Sequence, residues 1–383
     1  MFVMQALKER ILGVFPTPNF LALPTAGVDV SDRSVKWIEI RGSGESNIIY
    51  RYGEHPLPEG VILNGLVVDR DAFVRELRIV KEKSGLTNIV TGLPEEHAYT
   101  ARMRLSRVPE KNMRESVLFS LDQYVPLSPS EVCFDYIMLK QKDDDAENCE
   151  LITSVIPRQI SESYEISFVE AGFVPIAFEV ESQATARAAV PYGEKIVAMV
   201  LDIGESRSGV SIVCNGEVWF SSTIAQGGKE VERLYAEIFH VEREEAKREK
   251  NENGFIVSRG EKGESRAIAL ASLYSPICDE LVKQIDYWNV SGRLKFKKGD
   301  SDDHHDGTIS TLFVCGGEGN VPGLVGYLNK RLGISVEKAN PWQNVLSFED
   351  TIPLIEREDA LRYTTAIGLA LRSPLVRHWN PHD

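Results

Sequence analysis

The sequence lacks any unbroken run of about 18 apolar residues, the length that a membrane-spanning helix needs. Its five cysteines form no CxxC pair, which argues against a zinc site or a disulfide framework and favours a reducing compartment. Positive charge is also scarce, because 43 Lys and Arg stand against 57 Asp and Glu and leave a net charge of −14. A surface this acidic repels phosphate backbones, so nucleic-acid binding is disfavoured. We expect a cytoplasmic protein.

The composition is nevertheless that of a folded protein. Hydrophobic residues make up 43% and charged residues 26% of the 383 residues, which is typical of a chain with a substantial core. At about 150 residues per domain, this length suggests two or three packing units. Neither a G-x-S-x-G nucleophile elbow nor a Walker phosphate loop occurs. The sequence therefore does not support a serine hydrolase with a nucleophile elbow or a nucleotide-binding site of the Walker type.

Hydrophobic alternation predicts an α/β chain in two similar halves. Residues 26–55 and 195–228 each read as a three-stranded antiparallel meander. Residues 98–171 read as a compact βαββα insertion in the first half. We interpret the charged run at 242–254 as a solvated face or loop. Other predicted elements are helices at 69–85, 264–289, 322–333 and 358–371, and strands at 88–94, 310–317 and 334–339.

A strand–Asp–turn–strand unit occurs twice. Asp29 ends an apolar strand before the turn Ser31–Ser34, and Asp202 does the same before Gly204–Ser208. Small residues in such turns can point backbone N–H groups at a phosphate. An Asp at each strand end can hold Mg²⁺, mostly through water. Two such turns facing each other across a cleft would clamp a polyphosphate from both sides.

Two glycine-rich segments accompany the turns. The segment 315–323, CGGEGNVPG, follows a predicted buried strand and precedes a helix. Glycines there allow close approach of a flat ligand, and a helix N-terminus favours an anion. Gly227-Gly228 also precedes a helix and could line the same cleft. Each segment alone is equally compatible with an ordinary connection that binds nothing.

The order of turn, turn and GGxGxxPG loop resembles the actin/Hsp70/sugar-kinase superfamily. The details resemble the PilM family of type IV pilus assembly proteins, which are relatives of FtsA. The QYVP segment followed by DY, inside the insertion, resembles the FtsA/PilM subdomain rather than the one in actin or Hsp70. The matching segments are GVDVSDRSVKWIEI (27–40), ESVLFSLDQYVPLSPSEVCFDYIML (115–139), FVPIAFEVESQATARA (173–188), LDIGESRSGVSIVCNGE (201–217), VCGGEGNVPGLVGYLNKRLGISVEKANPWQNV (314–345) and TTAIGLALR (364–372).

The resemblance implies an actin-like ATPase fold that binds ATP and Mg²⁺. It implies Asp29 and Asp202 as water-mediated Mg²⁺ ligands, and Glu181 and Gln183 in the connection where related ATPases position the attacking water. These four form the tentative catalytic set. The implied nucleotide-binding residues are Ser31, Asp32, Arg33, Ser34 and Lys36; Gly204, Glu205 and Ser206; Gly227, Gly228, Lys229, Glu230 and Arg233; and Gly316, Gly317 and Gly319.

Three residues depart from the family pattern. Glu205 and Arg207 replace the small hydroxyl residues usual in the second turn, and Glu318 interrupts the glycine run. A carboxylate at 205 would repel a γ-phosphate unless Arg207 or Mg²⁺ offsets it. We therefore expect hydrolysis to be slow at most.

The resemblance also divides the chain into subdomains. An N-terminal extension covers residues 1–26, and apolar spacing predicts a short amphipathic helix within its first 15 residues. The implied subdomains are 1A (27–92, 176–194 and 358–372), the insertion 1C (93–175), 2A (195–228 and 308–357) and 2B (229–307).

The implied function is that of a scaffold in the inner-membrane complex of a type IV pilus or a related secretion or competence system. Its partners would be the N-terminal cytoplasmic tail of a PilN-like membrane protein and other inner-membrane components, so its membrane association would be indirect. Tyr124, Val125 and Leu127, where the insertion helix breaks at a proline, are the predicted tail contacts. Two alternatives remain open: an FtsA-like cell-division tether, and a degenerate actin-like scaffold that binds no nucleotide.

Overall fold

The computed structural model describes residues 23–43, 46–139, 147–257, 261–292, 307–346 and 352–373. The amphipathic helix expected in the first 15 residues lies outside these ranges. Within them, no helix is both long enough and apolar enough to cross a bilayer.

The first domain is built on a five-stranded sheet. Its strands are β1 (Thr25–Val30), β2 (Ser34–Ser43), β3 (Ser46–Pro56), β6 (Asn88–Leu93) and β10 (Val174–Val180), in the order β10-β6-β1-β2-β3. The first three form the predicted antiparallel meander, and β6 and β10 extend it in parallel. A small hairpin, β4 (Ile62–Leu63) and β5 (Leu66–Val67), precedes helix α1 (Arg70–Ser84). The Asp69 carboxylate caps α1 by accepting from the Ala72 N–H, and Gly85 ends it in a left-handed conformation.

The second domain repeats this topology. Its strands are β11 (Val197–Ile203), β12 (Ser208–Cys214), β13 (Glu217–Ile224), β14 (Thr311–Cys315) and β15 (Ser335–Lys338), in the order β13-β12-β11-β14-β15. Again a meander is extended by two parallel strands. The prediction of two related α/β halves is therefore confirmed.

The insertion has its own three-stranded sheet. Strands β7 (Tyr99–Ser106), β8 (Val132–Met138) and β9 (Asn148–Pro157) lie in the order β7-β9-β8, with helices α2 (Glu110–Ser120) and α3 (Arg158–Glu170) completing the predicted βαββα unit. Helix α2 packs Met113 and Val117 into the insertion core. Helix α3 instead packs Ile160, Tyr164 and Phe168 against Phe73 of the first domain.

The helical part of the second domain differs from the sequence-based expectation at the charged run 242–254. It consists of α5 (Gly228–Phe239), α6 (Arg243–Asn253) and α7 (Glu261–Tyr287), and α8 (Leu324–Leu332) follows β14. The run 242–254 was expected to be solvated, yet α6 buries Ala246 and the whole side chain of Lys250. One face of this charged helix is therefore buried inside the second domain.

Two helices connect the domains. They are α4 (Glu181–Ala189), which follows β10, and α10 (Thr364–Ala370), which follows the short α9 (Arg357–Ala360). They cross so closely that a Cβ on Gly368 would lie 1.8 Å from the Ala184 carbonyl oxygen. The Thr185 and Thr365 hydroxyls hydrogen-bond across the crossing at 2.9 Å. Both helices begin at the edge of the cleft between the sheets.

Candidate nucleotide cleft and partner surface

The β1–β2 turn and the β11–β12 turn face each other across one cleft. The cleft is lined by residues of both turns, of both connecting helices and of the β14–α8 loop. Of the predicted site residues, the lining contains Asp29, Ser31, Asp32, Arg33, Ser34, Lys36, Glu181, Asp202, Gly204, Glu205, Ser206, Gly316 and Gly317. The fold thus brings both Asp turns and the start of the glycine loop together.

The first turn is held by its own serines. The Ser31 N–H donates to the Ser34 carbonyl at 2.9 Å, and the Ser34 N–H donates to the Ser31 hydroxyl at 3.2 Å. The Lys36 ammonium enters the cleft 3.1 Å from the Ser34 hydroxyl. The Asp32 carboxylate accepts from the N–H groups of Asn64 and Gly65, so it is tied to the β4–β5 hairpin.

The second turn rests on the glycine pair that follows β13. The Gly228 N–H donates to the Gly204 carbonyl at 3.0 Å, and the Lys229 N–H donates to the Glu205 carbonyl at 2.8 Å. A Cβ on Gly227 would lie 2.6 Å from the Glu205 carbonyl oxygen. Gly227 and Gly228 therefore support the turn from behind and do not line the cleft.

The remaining predicted nucleotide-binding residues, which the resemblance places at the nucleoside end, also lie outside the cleft lining. Arg233 is half exposed and pairs with Glu230 and Glu237 on the surface of α5. The Lys229 ammonium lies 3.3 Å from Glu59. Gly319 belongs to the short turn after Gly317, where its N–H donates to the Gly316 carbonyl. These placements leave the phosphate end of the predicted site better formed than the nucleoside end.

A buried ion cluster fills the space beside Gly228. Its members are Glu232, Lys250, Tyr274 and Glu318. The Lys250 ammonium lies 2.9 Å from Glu232 and 2.5 Å from Glu318, and the Tyr274 hydroxyl donates to Glu318 at 2.7 Å. A Cβ on Gly228 would lie 2.2 Å from the Glu318 carboxylate. Glu318, which interrupts the glycine run, is thus a partner of a buried lysine.

Burial disfavours the charged forms of three predicted site carboxylates in the cleft. Desolvation, reinforced by the charge of Asp29, raises the pKa of Asp202 to about 6. Desolvation also raises the pKa of Asp29, against the opposing charges of Lys36 and Arg207. For Glu181 the pKa lies well above its usual range, again mainly through desolvation. A cation between Asp29 and Asp202 would relieve this cost, so the donor set fits the predicted Mg²⁺.

Two arginines cross the cleft. Arg33 of the first turn lies 3.3 Å from Glu205 of the second, which turns that carboxylate toward the first domain. Arg207 of the second turn lies 3.3 Å from Asp32 and 2.9 Å from Glu96, both in the first domain. Sequence reasoning did not anticipate Glu95 and Glu96. Their position could have indicated them, because they follow β6 after one proline and the carboxyl end of β6 lies beside that of β1.

Gln183 is turned away from the cleft. Its side-chain amide donates to the Ser154 hydroxyl of the insertion at 2.5 Å. The backbone N–H of its neighbour Ser182 donates to Glu95 at 3.1 Å. The start of α4 is therefore bonded to the insertion, and Glu181 is the member of the predicted water-positioning pair that lines the cleft.

The predicted tail contacts differ in exposure. Val125 is 3% exposed and belongs to the insertion core, where Leu127 also packs. Tyr124 is 40% exposed at the corner after α2. Phe119, which the sequence analysis did not single out, is 78% exposed on the same helix. Phe119 and Tyr124 thus place aromatic surface on the insertion.

Two sheets of related topology around a cleft define an actin-like fold, and solved structures share it. The PilM-PilN type IV pilus biogenesis complex matches with a TM-score of 0.74 at 20% identity, covering 92% of this chain and 99% of that chain. The ethanolamine utilization protein EutJ from Carboxydothermus hydrogenoformans matches with a TM-score of 0.52 at 16% identity, covering 93% and 91%. MreB5 of Spiroplasma citri bound to AMPPNP matches with a TM-score of 0.51 at 13% identity, covering 84% and 93%.

The amino-acid sequence identifies the family within the class of actin-like folds. The family model described as type IV pilus assembly protein PilM matches residues 27–374. The chain therefore belongs to the PilM family.

Proposed function

We propose that this protein is an actin-like scaffold of a type IV pilus, or of a related secretion or competence system. In this role it captures the N-terminal cytoplasmic tail of a PilN-like inner-membrane protein and binds Mg-ATP in its cleft. The carrying observation is the PilM family match, which spans both domains and the insertion. The same match favours this role over an FtsA-like division tether. It also predicts a cytoplasmic location at the inner membrane, alongside other components of the complex.

The tail would bind where the insertion meets the first domain. Helix α3 contacts β8, an edge strand of the insertion sheet, and β10, an edge strand of the first-domain sheet. Exposed apolar residues lie on all three elements: Ile137 and Met138 on β8, Ile166 and Val169 on α3, and Val174 and Ile176 on β10. Edge strands can give an extended peptide main-chain hydrogen bonds, while apolar pockets give it specificity.

Fluorescence anisotropy with a labelled peptide of the PilN-like tail tests this role. Truncating a central anchor typically costs about 2 kcal/mol of binding. Ile137→Ala on β8 and Ile176→Ala on β10 should therefore each weaken binding by about tenfold or more, which corresponds to about 1.4 kcal/mol. Tyr124→Ala tests in the same way whether the tail also reaches the corner after α2. Tyr287→Ala is the matched control, because Tyr287 is 56% exposed on the second domain. Wild-type affinity in a folded Ile137→Ala/Ile176→Ala protein would move the tail site elsewhere.

The nucleotide part of the proposal rests on the cleft. Asp29 and Asp202 would hold Mg²⁺, which neutralises phosphate charge, while the two turns and Lys36 would bind the phosphates. Glu205 of the second turn lines the cleft, and its negative charge beside the γ-phosphate would disfavour rapid hydrolysis. Slow hydrolysis follows, suited to a conformational switch rather than to metabolism. Calorimetry with Mg-ATP distinguishes this protein from a scaffold that binds no nucleotide.

A further inference from the structure

Arg207 lies in the β11–β12 turn and lines the cleft. Its backbone closes the second turn, because the Gly204 N–H donates to the Arg207 carbonyl at 3.0 Å. Its side chain is 18% exposed and reaches over the cleft to the first domain. Of the cleft-lining cations, Arg207 and Lys36 are the two with the least exposed side chains.

The two carboxylates that hold Arg207 do so loosely. One Nη atom makes a 3.3 Å hydrogen bond to Asp32, and the same atom lies 2.9 Å from Glu96. The contact with Glu96 is not aligned as a hydrogen bond, since both Glu96 oxygens are buried with no hydrogen-bond partner among the described residues. A guanidinium binds most strongly through two parallel N–H···O bonds. Neither contact is of that kind.

The surroundings of Arg207 are strongly acidic. Glu181, Glu96 and Asp32 all stabilise its charge, and its own charge in turn is the largest one opposing the raised pKa of Glu181. Asp32 has other donors, because the Asn64 and Gly65 N–H groups bond its carboxylate. Arg207 could therefore leave Asp32 without stranding an unpaired buried charge there.

We propose that Arg207, which lies against Asp32 and Glu96, is a phosphate-binding residue. When the polyphosphate end of a nucleotide enters between the two turns, the guanidinium exchanges these carboxylates for phosphate oxygens. Phosphate offers the fork geometry that Asp32 and Glu96 do not supply. Arg207 would thereby offset the charge of Glu205, whose carboxylate also pairs with Arg33. This inference rests on the proposed nucleotide binding.

The test compares ligands with and without a polyphosphate. Isothermal calorimetry measures the dissociation constants of Mg-ATP, AMP and inorganic tripolyphosphate for the wild type and Arg207→Gln. We expect Arg207→Gln to weaken Mg-ATP and tripolyphosphate by about tenfold or more while AMP changes little. Arg331→Gln is the control, since Arg331 is half exposed on α8, pairs with Asp279 and does not line the cleft. The ratio of ATP to AMP affinity should not change in that variant.

A second variant separates the loss of a phosphate contact from the structural effect of leaving Glu96 unpaired. Arg207→Gln leaves Glu96 without its ion pair, whereas Arg207→Gln/Glu96→Gln removes both charges and should show the same loss. If wild type binds Mg-ATP and both variants keep its ATP-to-AMP ratio, Arg207 does not bind phosphate and the proposed nucleotide binding stands. If wild type binds neither Mg-ATP nor tripolyphosphate, both proposals fail.

Discussion

The Lys250 ammonium lies 2.5 Å from the Glu318 carboxylate, and none of the lysine side chain reaches solvent. This pair joins α6 to the glycine loop after β14. Glu232 of α5 approaches the same ammonium at 2.9 Å. One buried cation thus holds three separate segments of the second domain together beside the cleft.

Removing this cation should be costly. Lys250→Met keeps the apolar volume but leaves Glu318 buried without a counter-charge and Glu232 with only its 3.4 Å contact to Arg243. Breaking a buried ion pair by removing one partner typically costs about 3–5 kcal/mol. We expect chemical denaturation to show a loss of this size in the free energy of unfolding.

The matched control is Lys247→Met on the same helix. Lys247 is exposed, so its loss should change the free energy of unfolding by less than about 0.5 kcal/mol. Equal stability of the two variants would contradict the role given to the buried cluster.

Lys250 also shows what the sequence could not predict. The meanders, the Asp turns and the insertion were predictable because alternation and turn residues are local signals. The charged run 242–254 carries no apolar stripe, so its buried face depends on carboxylates at 232 and 318, which only the fold brings near. Arg207 and Glu96 likewise meet across the cleft between domains. Pairings of this kind are tertiary and leave no periodicity in the chain.

The crossing of the two connecting helices should tolerate no side chain at Gly368. A Cβ there would lie 1.8 Å from the Ala184 carbonyl oxygen, which is backbone and cannot move aside independently. We expect Gly368→Ala to lower the thermal midpoint strongly or to prevent folding, since overpacking typically costs about 1–3 kcal/mol or more.

Gly326 of α8 provides the opposite case. A Cβ there would meet nothing within 4 Å, and Ala in a helix is favoured over Gly by about 0.5–1 kcal/mol. Gly326→Ala should therefore raise the thermal midpoint slightly. A neutral Gly368→Ala would mean that the two helices do not cross as closely as described.

Asp202 should make stability depend on pH. Its pKa is raised from 3.8 to about 6 in the folded protein, so the folded state binds the proton more tightly than the unfolded state. Its contribution to stability is then most favourable below the unfolded pKa and becomes less favourable as pH rises toward 6. Asp202→Asn removes this charge and should stabilise the ligand-free protein more at pH 7.5 than at pH 5.

Urea titrations at the two pH values measure this difference. Asp286→Asn serves as the control, because Asp286 is exposed on α7 and its substitution should have the same effect at both pH values. A gain in Asp202→Asn that does not grow with pH would argue against a raised pKa at this site.

The paired aspartates should determine how Mg²⁺ contributes to nucleotide binding. Asp29 and Asp202 are the next-to-last residues of the equivalent strands β1 and β11 and line the same cleft. Each carboxylate would hold the ion mostly through water, so one replacement weakens the site and two remove it. We expect Asp29→Ala/Asp202→Ala to weaken Mg-ATP binding by about tenfold or more, while adenosine binding changes little because the base makes no contact with the metal.

Calorimetry of both ligands, each with Mg²⁺ and with EDTA, separates these effects. In the double variant EDTA should make no further difference to ATP affinity, whereas in Asp71→Ala, altered at an exposed position on α1, EDTA should lower ATP affinity as in the wild type. Full Mg-ATP affinity in the double variant would show that the metal, if bound, is held by other groups.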